Sequence, residues 1–333
     1  MSLAGSVRLF SVGLLAAALA LSGCDRRDPS AAGAAPDQIT FSILSAQGQA
    51  SAGPLWQPLL DDLSKAIGAP VEPHFASTYA ALIEDMKQGR TQAAWFSAQP
   101  AIRALETAGA EMVARTVDPN GADSYRSTLI VKRGAGLTLD DVLKCGQRHR
   151  FGLGDAQSTS GTLVPMTFLF NPRGIQPDVC FQSVRSGNHE TNAFEVAAGV
   201  LDVATSNTVT AGELRRRNPA IADQIEEIWR SPPIPEGAIL VRGDLDPALK
   251  EKIRSFFLTY GQGAGVEAQR QRRVLAALNY SRFSAAEDDY LDPVRELIAD
   301  QALTTARADG DAAGVTAAQR ELQRLRTKRE VQP

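Results

Sequence analysis

The chain has 333 residues, with 35 Lys and Arg against 38 Asp and Glu and a formal net charge of −3. No basic block is present, which argues against a nucleic-acid partner. Three histidines and three cysteines without paired spacing argue against a zinc site, and no motif asks for a cofactor.

Arg8 is followed by an apolar run from Leu9 to Leu21. A run of about 13 residues is too short for a membrane-spanning helix, which needs about 20. It fits the apolar core of a secretion signal. Leu21-Ser22-Gly23-Cys24 then reads as a lipobox, cut before a cysteine that receives the acyl chains. Residues 1–23 are therefore expected to be a lipoprotein signal peptide, with Cys24 lipidated and the protein held in the periplasm by its lipid. The competing reading is an ordinary signal peptide with a chance cysteine. Residues 24–37 are small, polar and proline-bearing, and read as a flexible tether.

From Ile39 the pattern is strand, turn, amphipathic helix, repeated. ITFSIL is a strand, and a helix is expected to open at Pro54 and carry Leu55, Leu59, Leu60, Leu63 and Ile67 at helical spacing. VEPHF, QAAWF, EMVARTV and YRSTLIVKRG read as strands with helices between the first three. The rhythm restarts with FGLGD, FQSVRS and LDVATSN, each followed by a helical pattern. EEIWRSP and AILVRGDL bring the chain back. Leu249, Ile253, Phe256 and Phe257 mark one face of a further helix, and two more helices end the chain, packed across the back of a lobe. The fold class is α/β, in two doubly wound lobes. Cys145 and Cys180 each precede a predicted strand. Neighbouring parallel strands would bring them together, so a disulfide is expected; two buried thiols are the alternative.

Open α/β sheets bind ligands beyond the carboxyl ends of their strands. Asp155-Ala156-Gln157-Ser158-Thr159-Ser160-Gly161 stands at such an end. A helix start offers unpaired N–H groups and partial positive charge to an anion. Ser158, Thr159 and Ser160 add hydroxyl donors, although a Ser/Thr helix cap without a ligand would look the same. His189, in GNHET, sits at a second helix start and can donate to an anion. Tyr79 and Tyr125 offer phenols from the opposite lobe. Trp95 and Phe96 end a strand as core or cleft lining.

The stretches VEPHFASTYAALIEDMKQGRTQAAWFSAQPA, GDAQSTSGTLVP, GNHETNAFEVAAGVLDVATSNT and IWRSPPIP closely resemble the periplasmic phosphonate-binding proteins of ABC importers. The resemblance runs from about Ile39 to the helices near residue 300. It implies a type II periplasmic-binding fold. Lobe 1 would comprise residues 38–125 and 236–300, and lobe 2 residues 126–235. The hinge would have two segments, with a C-terminal helix over 301–333. It implies a phosphonate, phosphite or phosphate-like ligand held by Ser158, Thr159, Ser160 and His189, with Tyr79 and Tyr125 across the cleft. An ABC permease and its ATPase are the implied partners. Relatives that take aminoalkylphosphonates look as though they hold the ammonium with two acidic side chains. Val209 and Gly237 occupy those places here, and Glu236 could substitute only if its loop shifts. Phe96 stands where relatives often have tyrosine. A weaker preference for 2-aminoethylphosphonate is the resulting expectation. An oxyanion sensor for a membrane kinase would use the same clamp. A hydrolase using Ser158 or Ser160 with His189 lacks G-x-S-x-G and any cluster of metal ligands, so no enzyme activity is expected.

Overall fold

The computed structural model describes residues 37–44 and 48–331; the expected signal peptide, Cys24 and nearly all of the tether lie outside them. The first sheet begins with β1 (Ile39–Ile43), α1 (Gln49–Ile67), β2 (Val71–His74), α2 (Tyr79–Lys87), β3 (Ala93–Phe96), α3 (Ala98–Thr107) and β4 (Ala110–Val117). A short strand, β5 (Ser124–Tyr125), leads out. The second sheet is built from β6 (Ser127–Lys132), α4 (Leu139–Leu143), β7 (Arg150–Leu153), α5 (Pro177–Cys180), β8 (Ser183–Ser186), α6 (His189–Ala197), β9 (Val203–Asn207), α7 (Thr208–Arg217), α8 (Pro219–Ala222) and β10 (Ile225–Arg230). Two π-wound turns, Thr159–Leu163 and Met166–Phe170, follow β7. The chain returns through β11 (Ile234–Pro235) to β12 (Ala238–Arg242), α9 (Pro247–Thr259), α10 (Val266–Ala277) and β13 (Arg282–Ser284). It ends in α11 (Asp292–Ala308) and α12 (Ala312–Val331).

The strand orders are β13-β4-β12-β3-β1-β2 and β10-β6-β9-β7-β8. Each contains a parallel trio, β2-β1-β3 and β8-β7-β9, whose first strand lies in the middle. Antiparallel β5 and β11 pair between the sheets, Ile234 opposite Tyr125. Each sheet with its helices makes one lobe. Pro73 is tolerated in β2 because that strand is an edge.

Alternation along the strands decides which helices cover which face. Ile39, Phe41 and Ile43 pack with Leu59, Leu60 and Leu63 of α1 and with Ile253 and Phe257 of α9. Ala94 and Phe96 face Leu82 and Met86 of α2 and Ala101 of α3. Phe151, Phe170 and Phe181 form an aromatic core in the second lobe, Phe151 stacked on Phe181 at 4.3 Å. Cys145 and Cys180, at the starts of parallel β7 and β8, are joined in a disulfide.

Several expectations are corrected. Helix α1 begins at Gln49, five residues before Pro54, because Ser51 and Ala52 already donate to the Gly48 carbonyl. Phe96 belongs to the core rather than the cleft, since its neighbour Trp95 takes the other face. Helix α10 and strand β13 had no clear periodic signal. The boundary expected at residue 300 falls inside α11, which is continuous and lies against α3, the π-wound turns and β11. Helix α12 folds back on it through Leu303 and Leu322 and the Lys328–Asp292 ion pair at 2.6 Å.

The disulfide closes a loop across a sequence separation of 35. Its removal in C145A/C180A is expected to cost about 3–4 kcal/mol, lowering Tm by roughly 5–10 °C. Calorimetry checks this, and an unchanged Tm would show that the link adds nothing to the packing around Phe181.

Candidate functional site

Six helix starts follow the carboxyl ends of the two parallel trios: those of α1, α2, α3, the first π-wound turn, α6 and α7. In the second lobe the π-wound turn begins at the end of β7. Gly154 N donates to the Gly161 carbonyl at 3.0 Å. A Cβ on Gly154 would sit 2.6 Å from Gly161 Cα, so the two backbones touch. Gly161 is therefore required by backbone packing on Gly154, and a Cβ there would also press on the His189 ring at 3.1 Å. This packing presents Ser158 and Ser160 to one cavity.

Ser158 caps its own turn by accepting from Gly161 N at 3.0 Å, which leaves its O–H proton free to donate. The Ser160 hydroxyl lies 3.1 Å from His189 Nε2 and accepts from Asn207 Nδ2 at 3.2 Å. Ser127 Oγ donates to the Ser160 carbonyl at 2.6 Å and fixes the backbone. Asn207 also caps α7 by accepting from Thr210 N at 2.8 Å. Three elements thus converge on Ser160.

His189 is 3 % exposed, and among the described residues its Nδ1 makes no hydrogen bond of ordinary geometry. Burial pushes the imidazole down to about 4, and the nearby Thr205 carbonyl opposes this only in part. The ring is neutral at pH 7. Trp95 lines the same cavity, and its buried indole N–H has no partner among the described residues either. Unpaired buried polar groups are costly.

The space open to the centre of a water molecule is about 50 Å³. That suits about four waters, or a ligand with a handful of heavy atoms. Tyr79, Tyr125, Ser158, Ser160, His189, Val209, Glu236 and Gly237 all line it. Burial, helped by the Asp155 charge, raises the Tyr79 phenol; burial likewise raises Tyr125, so both remain protonated donors. Thr159 is not in the lining. Its Oγ1 accepts from Gln99 N at 2.8 Å and donates to Ser97 Oγ at 3.3 Å, both in the first lobe.

One lining residue, Glu213, escaped the sequence, and another, Glu236, was expected to reach the cavity only after a loop shift. Glu213 lines the cavity, 7 % exposed, one turn beyond Val209 on α7. The i, i+4 spacing that puts both on one helix face was the signal available. Glu236, 3 % exposed, reaches the lining without any shift of its loop. Gly237 cannot bear a side chain, because a Cβ would lie 2.5 Å from Trp95 Nε1. Burial pushes the Glu236 carboxyl up to about 8; the Gly237 N–H opposes this, while the charges of Asp118 and Glu213 add to it. Trp56 and Tyr280 complete the first-lobe wall. Among the described residues no group of three or more His, Cys, Asp or Glu could hold a metal.

Comparison with known proteins gives a consistent result. The family described as ABC transporter, phosphonate, periplasmic substrate-binding protein matches residues 41–291. The phosphonates-binding periplasmic protein of Escherichia coli (strain K12) is 35 % identical over 260 residues, covering 78 % of this chain and 75 % of that one. A crystal structure of a binding-protein component of a phosphonate ABC transporter from Pseudomonas aeruginosa superposes with a TM-score of 0.83. It is 34 % identical, over 89 % of this chain and 99 % of that one. PhnD1 from Prochlorococcus marinus (MIT 9301), solved with methylphosphonate, shares the fold at a TM-score of 0.69 and 20 % identity, over 79 % and 97 % of the two chains. The chain has the periplasmic-binding-protein fold, and it belongs to the family of periplasmic substrate-binding proteins of phosphonate ABC transporters.

Proposed function

We propose that this protein captures a small phosphonate between its lobes and delivers it to an ABC permease and its ATPase. The observation that carries the reading is the convergence of Ser160, His189 and Asn207 on one cavity that also holds the Ser158 hydroxyl and two phenols. In this reading Ser158, Ser160 and His189 donate to the phosphonate oxygens, with Tyr79 and Tyr125 closing over them. A dianion beside the imidazole favours its charged form, so binding draws a proton onto His189. Thr159 acts between the lobes instead, and Phe96 supports the wall from behind.

Lobe 1 comprises residues 38–125 and 236–291, and lobe 2 residues 126–235. The paired crossings near 124–127 and 232–238 serve as the hinge. Lipid on Cys24 holds the protein at the membrane by the tether of residues 24–37. Detergent phase partition tests the anchor: the wild type should enter the detergent phase and Cys24→Ala should remain aqueous. Wild-type protein in the aqueous phase would rule the anchor out.

The ligand class follows from the acidic residues that line the same cavity as the hydroxyls. Carboxylates are absent at 209 and 237, but Glu213 and Glu236 supply two at neighbouring positions. They suit a cationic substituent, so an aminoalkylphosphonate fits better than the sequence suggested. A buried carboxyl that holds its proton until about pH 8 attracts an ammonium only once that proton leaves. An alkylammonium keeps its charge throughout this range.

Hydrolysis is disfavoured by the burial of His189. In the ligand-free protein an imidazole depressed to about 4 is a poor base at pH 7.

Titration of the soluble domain by calorimetry tests the ligand reading. Methylphosphonate and 2-aminoethylphosphonate should bind, sulfate should not, and Ser160→Ala should weaken both phosphonates roughly 10- to 100-fold. The preference for the amine should grow between pH 6 and pH 8.5. Glu236→Gln should flatten that slope and lower the preference at pH 8 roughly 30-fold or more. Silence from every phosphorus compound contradicts the function; a preference unmoved by Glu236→Gln contradicts the cation site alone.

A further inference from the structure

Two of the first-lobe helices that follow the parallel strands, α1 and α3, start without a side-chain cap of their own. Helix α1 has Gly48 at its N-cap, and the Ser97 side chain makes no capping bond to α3. Unpaired N–H groups at a helix start need acceptors. Both starts face the cleft, and both find acceptors in the second lobe. The Glu190 carboxylate accepts from Gly48 N through Oε2 and from Ser51 Oγ through Oε1, each at 3.1 Å. Thr159 Oγ1 accepts from Gln99 N at 2.8 Å and donates to Ser97 Oγ. A third, longer contact runs from Tyr79 N, the first residue of α2, to Asp155 Oδ2 at 3.4 Å. Helix α2 already has a cap in Thr78, so this contact adds charge rather than a missing partner.

We infer that the closed cleft is held by caps exchanged between the lobes, and that Glu190 is the positioning residue that sets how long a ligand stays. All three acceptors stand in the second lobe and all three helix starts in the first, so opening the cleft breaks all three of these contacts at once. Two of the acceptors are carboxylates at helix N-termini, where the helix dipole adds to the hydrogen bonds.

The caps are tied to the ligand through the chain itself. Glu190 follows His189. Thr159 lies between Ser158 and Ser160. Asp155 opens the same loop, and its Oδ1 accepts from Gln157 N at 2.8 Å to hold the turn. A ligand that fixes the serines and the imidazole therefore fixes the three acceptors. Arg217 adds a rim contact beside Glu190, its guanidinium donating to the Ser51 carbonyl at 3.4 Å. Glu190, Ser51 and Arg217 together line a second depression that shares Thr210 and Glu213 with the ligand cavity. This places the α1 cap at a mouth of the cleft.

Among the described residues Glu190 does not line the ligand cavity, so its loss should act on affinity without changing selectivity. The inference does not depend on which phosphonate the cavity prefers. It is tested with the soluble domain and variants Glu190→Gln, Glu190→Ala, Ser51→Ala and the double variant Glu190→Ala/Ser51→Ala. For methylphosphonate, Glu190→Ala should raise Kd roughly tenfold, chiefly through a faster koff read by stopped flow. The same factor should hold for 2-aminoethylphosphonate, and the ligand-free Tm should stay within about 1 °C. The double variant should be less than additive, since both changes remove one contact. A purely local packing role would lower Tm and leave koff alone.

Electron–electron resonance between nitroxides on the two lobes reads closure with no ligand in the sample. The wild type should show a closed population that Glu190→Gln/Asp155→Asn depletes. An unchanged koff, or an unchanged distance distribution, overturns the inference. The distance measurement remains decisive even if the wild type binds none of the phosphonates offered, which would instead defeat the ligand assignment.

Discussion

Burying the His189 imidazole beside Ser160 removes a polar ring from water, and among the described residues its Nδ1 has no partner of ordinary geometry. A fold tolerates such a group when something else in the structure holds it there. Here the holder is the packing of Gly154 on Gly161, which seats the π-wound turn against the end of β7 and leaves room for the ring beside it. Ser158 and Ser160, His189 and Asn207 then reach one cavity from three separate strand ends, those of β7, β8 and β9. The site is a product of sheet geometry: three parallel strands end side by side, and each hands its chain to a helix whose first turn faces the cleft.

The cavity combines two kinds of group. Hydroxyls, an amide and helix starts supply donors. Glu213 and Glu236 line it as well, and burial keeps a proton on Glu236 up to about pH 8. This titration also bears on folding. A carboxyl raised from its usual value stabilises the fold while protonated, an effect fully present below about 4.5 and lost as pH rises through about 8. His189 works in the opposite sense, since a base depressed to about 4 favours the fold above its ordinary value of 6.5 and loses that contribution as pH falls through 4. A cationic group bound against Glu236 would offset the cost of ionising it.

Much of this was legible because it is periodic. The two strand-helix rhythms, the alternating β1 and the apolar stripe of α9 follow from patterning that any sheet or helix must obey. The Ser158–Ser160 cluster and His189 stood out because they follow predicted strands. The rest depends on contacts that no local pattern encodes. Trp95 and Phe96 point to opposite faces of β3, and only the packing of α2 and α3 decides that Phe96 is core. Trp95 in turn denies Gly237 a side chain, which moves the carboxylate to Glu236. Glu213 was readable in principle from its spacing to Val209, but the charged run around it, GELRRR, looks like a solvated helix face. Thr159 resembled its serine neighbours, yet its hydroxyl turns across the cleft to cap α3.

Nitrogen NMR of the His189 ring addresses the binding account most directly, because it observes the buried group itself. At pH 7 and without ligand, the ring nitrogens should show the neutral form. Saturating methylphosphonate should move them toward the charged, hydrogen-bonded form, with no such change on adding sulfate. A ring already charged in the free protein, or one indifferent to phosphonate, would contradict the assignment of this cavity as an oxyanion site.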